Sequence, residues 1–292
     1  MSDGTGMTAE LLDGKAFLEL TIGRLRERVA ALVERGITPG LGTILVGDDP
    51  NSHAYVRGKR DACEQAGLVS HHRELAADIS PTHLHAEISA FNDDPAVDGF
   101  IVQLPLPDGL DEEAALLAID PDKDADGLHP VNLGRLVMGV DAPRPCTPRG
   151  IQALLVHHQV PIAGKHVVIV GRGLTIGRPL ALLLSLKREN ANAAVTVVHT
   201  GVADLGAYTR QADILIAAAG TPSIITPDMV KPGAAVVSAG ITMDGRRVVP
   251  DVDEAVGEVA GWITPRVGGV GPTTIAMLLT NTIDAAERRA SL

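Results

Sequence analysis

Tyr55 and Lys59 stand four residues apart in SHAYVRGKRDACEQAG, a segment that reads as a helix, so their side chains share one face. A ring and an amine side by side suit a planar heterocycle. The ring stacks on it, and a lysine taken partly out of water carries proton chemistry or balances developing negative charge. The same spacing also describes an ordinary Tyr–Lys pair on a half-exposed helix. Gly58 costs a helix about 1 kcal/mol relative to Ala, which hints at a close approach there. Gln103 ends the strand-like run GFIVQ, where it can bind a ligand, orient a neighbouring lysine, or simply be a polar strand end. Asp126 in KDADG can accept paired hydrogen bonds from an aminopyrimidine edge, or close an Asx turn. GGVGP at Gly268–Pro272, followed by Thr273 and Thr274, permits close backbone approach and a helix start, or is only a turn.

A second constellation is glycine-rich. VVIVGRGLTIGRPLALLL reads as strand, tight turn and helix, with Gly171, Gly173 and Gly177 spaced GxGxxxG, one residue longer than the common dinucleotide fingerprint. Glycines admit a pyrophosphate, the helix N-terminus supplies N–H groups and a positive dipole end, and Pro179 suits the first turn. A ligand-free βα turn has the same look. NAD sites usually carry a carboxylate near the end of the next strand, about 20 residues on. Here that strand ends in His199 and Thr200, and Arg172 sits in the turn, where a guanidinium can pair with a 2′-phosphate. The balance favours NADP; the alternative for Arg172 is a solvated charge.

The elements that must position these residues alternate. A helix is predicted over Ala16–Glu34, a strand over Gly40–Gly47, and a helix from Ser52, its possible cap, to a stop at Gly67. A strand follows over Val97–Pro107. Residues 120–150 read as a long polar connection rich in Asp, Pro and Gly, with a domain junction near Pro148. Beyond it come helix RGIQALLVHHQ, strand His166–Gly171, helix RPLALLLSLKREN, strands Ala194–His199, Ala212–Gly220 and Ala234–Gly240, then a glycine-rich loop and a closing helix. An α/β fold is expected: two three-layer domains flanking a cleft, the second a Rossmann-like doubly wound dinucleotide domain. The expected division is 1–148 with the helix 272–292, and 149–271.

Composition narrows the classes. At 292 residues, about two domains are expected. Only 2% of residues are aromatic against 45% hydrophobic, so the cores must be aliphatic. A net charge of −11 argues against sequence-independent binding to nucleic acid. Cys63 and Cys146 make no disulfide framework or CxxC metal pattern, and a reducing compartment is expected. Met1–Glu10 lacks a basic region followed by an apolar run, and runs such as Ile214–Ala219 are too short to span a bilayer, so neither signal peptide nor membrane segment is expected. The ten histidines show no HExxH-like spacing, so no metal is expected.

Taken together, LVGDDPNSHAYVRGKRDACEQAG, VQLPLP, DKDADGLHPVN, PCTPRG, AGTPSIITPDMVKPGA and GGVGPTTIAMLL resemble, in order and spacing, the bifunctional methylenetetrahydrofolate dehydrogenase/methenyltetrahydrofolate cyclohydrolase family over nearly the whole chain. The resemblance implies that Tyr55 stacks on the folate, Lys59 drives the cyclohydrolase step, Gln103 positions it, and Asp126 holds the pterin. It places Gly171, Arg172 and Gly173 in the cofactor segment, Thr200 at the cofactor's phosphate and Ile241 at its nicotinamide end. Gly268, Gly269, Pro272 and Thr274 fall in the substrate-binding segment. A homodimer and a cytoplasmic location are likewise implied. Gly173 stands where the family usually has Ser, Ser238–Ala239 where it has Asp–Val, and Arg266–Val267 where it often has Val and Pro.

The activity so implied is oxidation of 5,10-methylene-tetrahydrofolate with NADP, then hydrolysis of the methenyl cation to 10-formyl-tetrahydrofolate. Two other readings share the α/β plan: a dehydrogenase of a small hydroxy acid or ketone, and a non-catalytic NADP-binding protein. The first has no use for Tyr55, Gln103 and Asp126, and the second none for Lys59.

Overall fold

The computed structural model of the chain describes residues 9–244 and 247–291, so residues 1–8 of the segment read for a targeting signal lie outside the described residues. The elements of the first half are β1 (Glu10–Leu11), α1 (Gly14–Glu34), β2 (Gly40–Val46), α2 (Pro50–Ala66), β3 (Val69–Leu75), α3 (Pro81–Asp93), β4 (Gly99–Val102), α4 (Glu112–Leu117) and α5 (Pro130–Met138). Those of the second are α6 (Cys146–His157), β5 (His166–Val170), α7 (Gly177–Ser185), β6 (Ala194–Val198), α8 (Gly206–Thr209), β7 (Ile214–Ala217), β8 (Ala235–Ser238), β9 (Ile241–Asp244), β10 (Arg247–Pro250), β11 (Trp262–Ile263) and α9 (Val270–Ala290).

The chain forms two compact units. One comprises Glu19–Cys146 and the end of the chain from Ile275; the other comprises Thr147–Thr274 and the segment up to Leu18. The expected span 1–148 is therefore corrected at its start. β1 pairs in parallel with β11 and joins the sheet of the second unit, because its backbone groups find partners there: Glu10 N donates to Gly261 O and Leu12 N to Ile263 O.

The unit built from Glu19–Cys146 holds a parallel sheet in the order β3-β2-β4. β2 is buried along its whole length, as expected of a central parallel strand. Gly42 lets β2 lie close to its neighbours, since a Cβ there would sit 2.6 Å from Phe100 Cβ. The core on this side joins Ile44, Val46, Ile88 and Ile119 to Phe91 and Phe100, whose rings meet edge to face at 5.4 Å. α2 starts one turn earlier than the Ser52 cap predicted. Asp49 is the cap and accepts from Ser52 N at 2.8 Å, with Pro50 at the first helical position. Gly67 ends the helix at φ 84°, as expected.

Three expectations are revised here. The strand predicted over Val97–Pro107 is only β4, because Pro105 and Pro107 have no N–H to offer a ladder. Residues 120–150 are not all loop: they contain α5, whose cap is His129, with Nδ1 accepting from Val131 N. β3 and α3 had no counterpart among the elements named from the sequence; β3 is masked by its polar SHHRE run, and α3 opens on the Ser80 cap and Pro81.

The other unit holds a six-stranded, all-parallel sheet in the order β1-β11-β8-β7-β5-β6. From α6 onward the strands enter as second, first, third, fourth and fifth across the sheet, a doubly wound order. Its core is aliphatic: Val168, Val170, Leu215, Ala217 and Val236 pack against Ile225, Val252 and Val256. β9 and β10 form a separate antiparallel hairpin.

Candidate active site

In the three-stranded unit, β2 enters first and β3 and β4 flank it, so the chain reverses direction across the sheet between β2 and β4. Ligands of open α/β sheets bind beyond the carboxyl ends of strands at such a point. Gln103 stands there, one residue past β4, with its backbone N donating to Ile44 O at 2.8 Å. Its side-chain Oε1 accepts from Lys59 Nζ at 2.8 Å, and its Nε2 donates to Leu104 O at 2.6 Å. These two bonds fix the amide orientation, so its oxygen faces the amine. Lys59 is thus a half-buried amine hydrogen-bonded within the unit.

Lys59 is also electrostatically set. Burial pushes its ammonium below the ordinary lysine range, and the Asp126 carboxylate is the strongest group pulling it back up, with Cys146 and Cys63 acting the same way. Burial in turn pushes the Asp126 carboxyl up, while Lys59 pulls it down. Tyr55, one helical turn before Lys59, is 51% exposed and leaves its ring face open. At Gly58 a Cβ would meet only Ile275 Cδ1, at 3.8 Å among the described residues, so packing within this unit does not demand glycine.

In the KDADG segment the Asx-turn alternative falls on a neighbour of Asp126. Asp124, not Asp126, makes the turn. It is buried and accepts from Gly127 N at 3.0 Å, His129 N at 2.8 Å and Asn132 Nδ2 at 2.9 Å. Gly127 has φ 73°, and a Cβ there would lie 2.2 Å from the Arg144 carbonyl carbon. From α9, Asn281 Nδ2 donates to Ala125 O and Arg144 O. Asp124, Asn132 and Asn281 were missed; the only signal was a second Asp two residues before Asp126. Cys63 and Cys146 are buried; the Cys146 thiol donates to Ala125 O at 3.2 Å, and burial pushes the Cys63 thiol up to about 12.

In the six-stranded unit the direction reverses between β5 and β7, and the glycine turn lies there. Gly171 follows β5 with φ 131°, and a Cβ would lie 2.1 Å from Ala218 O, just past β7. Gly177 opens α7, where a Cβ would lie 2.1 Å from Gly171 O. Both glycines are thus required for strand, turn and helix to meet. No side chain caps α7; Arg178 N donates to Gly173 O in the turn at 3.2 Å, and Pro179 has no N–H to satisfy. Gly173 differs: nothing described lies within 4 Å of a Cβ there, so the position has room for the serine hydroxyl it lacks. These features fit a dinucleotide's pyrophosphate.

Arg172 is exposed, and its carbonyl accepts from Arg178 Nε at 2.8 Å. Thr200 is exposed past β6, and Ile241 is 45% exposed past β8. Gly268, Gly269, Pro272 and Thr274 fall in this unit rather than with Lys59. Gly269 O would sit 1.7 Å from a Cβ at Gly14, and Thr274 Oγ1 lies 3.1 Å from Thr147 Oγ1. The structure therefore groups Tyr55, Lys59, Gln103 and Asp126 in one unit and the remaining candidates in the other.

A parallel α/β chain with a nucleotide turn in one unit and a desolvated amine beside a carboxylate in the other defines a dinucleotide-linked enzyme. Comparison with known proteins sharpens this. Residues 12–126 match the model of the tetrahydrofolate dehydrogenase/cyclohydrolase catalytic domain, and residues 145–290 that of its NAD(P)-binding domain. The bifunctional protein FolD of Syntrophotalea carbinolica is 60% identical over 97% of this chain and 98% of its own length. The crystal structure of the bifunctional enzyme FolD from Campylobacter jejuni has a TM-score of 0.92 at 43% identity, covering 96% of this chain and 99% of that one. The Trypanosoma brucei enzyme, solved with NADP cofactor and inhibitor, has a TM-score of 0.91 at 39% identity, covering 97% and 99%. The chain belongs to the tetrahydrofolate dehydrogenase/cyclohydrolase family and is a bifunctional enzyme of folate one-carbon metabolism.

Proposed function

We propose that the unit containing Lys59 binds the folate and carries the hydrolytic step, and that the six-stranded unit binds NADP. The enzyme oxidises 5,10-methylene-tetrahydrofolate to the methenyl cation and hydrolyses that cation to 10-formyl-tetrahydrofolate. Bound NADP would supply the acceptor for the hydride of the methylene carbon. The folate's own nitrogen lone pairs stabilise the resulting cation, so in this step the protein supplies proximity and orientation.

For hydrolysis, water adds to the cationic carbon, the bond from that carbon to N5 breaks as the remaining hydroxyl proton passes to N5, and one proton of the water must leave. Lys59 takes it. Burial lowers its proton affinity and a cationic substrate lowers it further, both of which favour the neutral amine. Gln103 holds that amine in place, Tyr55 stacks on the pterin, and Asp126 accepts paired hydrogen bonds from its aminopyrimidine edge. Gly171 and Gly177 let the backbone approach the pyrophosphate, and Arg172 and Thr200 read the 2′-phosphate side. Ile241 meets the nicotinamide end. Gly268, Gly269, Pro272 and Thr274 contribute backbone and hydroxyl groups to the substrate.

The single observation that carries this reading is the Lys59 Nζ–Gln103 Oε1 bond of 2.8 Å beside Asp126. Family membership extends it to a homodimer working in the cytoplasm and supplying formyl groups to purine biosynthesis. Among the described residues no helix is long and apolar enough to cross a membrane. Mixing the protein with methylene-tetrahydrofolate and NADP, with NAD in parallel, tests the whole. Reduced NADP must appear optically and methenyl absorbance must then decay.

A further inference from the structure

Asp251 opens the segment after β10 and is fully buried, at 0% exposure. It accepts three consecutive backbone N–H groups from the loop that leaves β7: Ala219 N on Oδ2 at 2.6 Å, Gly220 N on Oδ2 at 2.9 Å and Thr221 N on Oδ1 at 2.8 Å. Gly220 has φ 63°, which turns successive amides toward one carboxylate. Gly240, past β8, packs on the same group; a Cβ there would lie 2.0 Å from Oδ2. The loop's other end presses on the nucleotide turn, through Ala218 O against Gly171. Thr242 Oγ1, next to Ile241, donates to Gly220 O at 3.2 Å. One carboxylate thus ties together the backbone beyond the carboxyl ends of β5, β7 and β8.

We propose that Asp251 is a positioning residue for the dehydrogenase reaction: it holds the Ala218–Thr221 loop in the shape that seats the cofactor between the Gly171 turn and Ile241. The inference rests on the reading that this unit binds NADP. The chemistry is specific to a carboxylate. Two oxygens accept three N–H groups; an asparagine has one oxygen, and its NH₂ must face at least one of those donors whichever way it is turned. None of these groups belongs to the unit that contains Lys59, so the loop can be disturbed without touching hydrolysis.

The test compares Asp251→Asn with the parent enzyme in two assays on the same preparation. One is NADP-dependent oxidation of methylene-tetrahydrofolate; the other is hydrolysis of supplied methenyl-tetrahydrofolate without NADP. Losing one buried acceptor raises the KM for NADP by about tenfold or more, while hydrolysis stays within about twofold. Unchanged NADP kinetics, or an equal fall in both activities, overturns the proposal. Hydrogen exchange on the parent protein supplies a readout that needs no variant. The amides of Gly220 and Thr221 must be protected like sheet amides although they lie outside any strand, and exchange at open-loop rates overturns it. If the parent enzyme itself fails to reduce NADP, the reading of the unit fails, and hydrogen exchange still decides whether Asp251 holds the loop.

Discussion

The amine of Lys59 and the amide oxygen of Gln103 lie 2.8 Å apart, although 44 residues separate them. The bond joins a helix that follows β2 to the end of β4, so it forms only when the parallel sheet has assembled. In the proposed mechanism it makes the base and its holder two parts of one device, with consequences that can be measured separately.

Replacing Lys59 with Met removes the proton acceptor and keeps much of the side chain's bulk. Hydrolysis of methenyl-tetrahydrofolate should fall by about a hundredfold or more, while folate binding measured by titration largely survives. A variant with the parent hydrolytic rate removes Lys59 from the mechanism.

The pH dependence of hydrolysis follows from the same pair. As a base, Lys59 must be neutral, so the rate falls as pH drops through its pKa. Asp126 is the strongest group raising that pKa against burial. Asp126→Asn should therefore move the acidic limb of the profile to lower pH, together with weaker folate binding. A limb that stays put or moves to higher pH contradicts the coupling.

Arg172→Ala should weaken NADP more than NAD. Charge-assisted bonds to a phosphate contribute about 1.5–3 kcal/mol, or at least tenfold in the ratio of KM values. Equal weakening shows that Arg172 does not read the 2′-phosphate.

Two glycines of the turn, Gly171 buried and Gly173 exposed, should behave oppositely. Gly171→Ala places a methyl on Ala218 O at a strained φ of 131°. It should cost about 1–3 kcal/mol in denaturant unfolding and abolish oxidation. Gly173→Ser enters open space, so stability should stay within about 0.5 kcal/mol. The added hydroxyl should leave NADP binding equal or tighter.

Much of this was legible from residue order alone. β5 and α7 carry unbroken apolar runs beside Gly or Pro, and α2 stops at Gly67; such residues punctuate a chain whatever its tertiary setting. Tyr55, Lys59 and Gln103 showed up as chemical types at interpretable spacing. What stayed hidden depends on distant partners. β1 is two residues long and exists only because β11 lies beside it. Ser52 looked like a cap, but Asp49, just before Pro50, caps from one turn earlier. Asp124 and Asp251 were invisible as organisers, since a buried carboxylate is recognised by the backbone amides around it, and those come from elsewhere in the chain.

The interleaving of the two units dictates how the gene can be dissected. Expressing 1–148 and 149–292 as separate polypeptides would strip β1 from the six-stranded sheet. It would also take from the other fragment Asn281 and the Asp284 and Glu287 partners of Arg28. Neither half is then a complete folding unit, and any autonomous version must be a circular rearrangement that restores both borrowed ends.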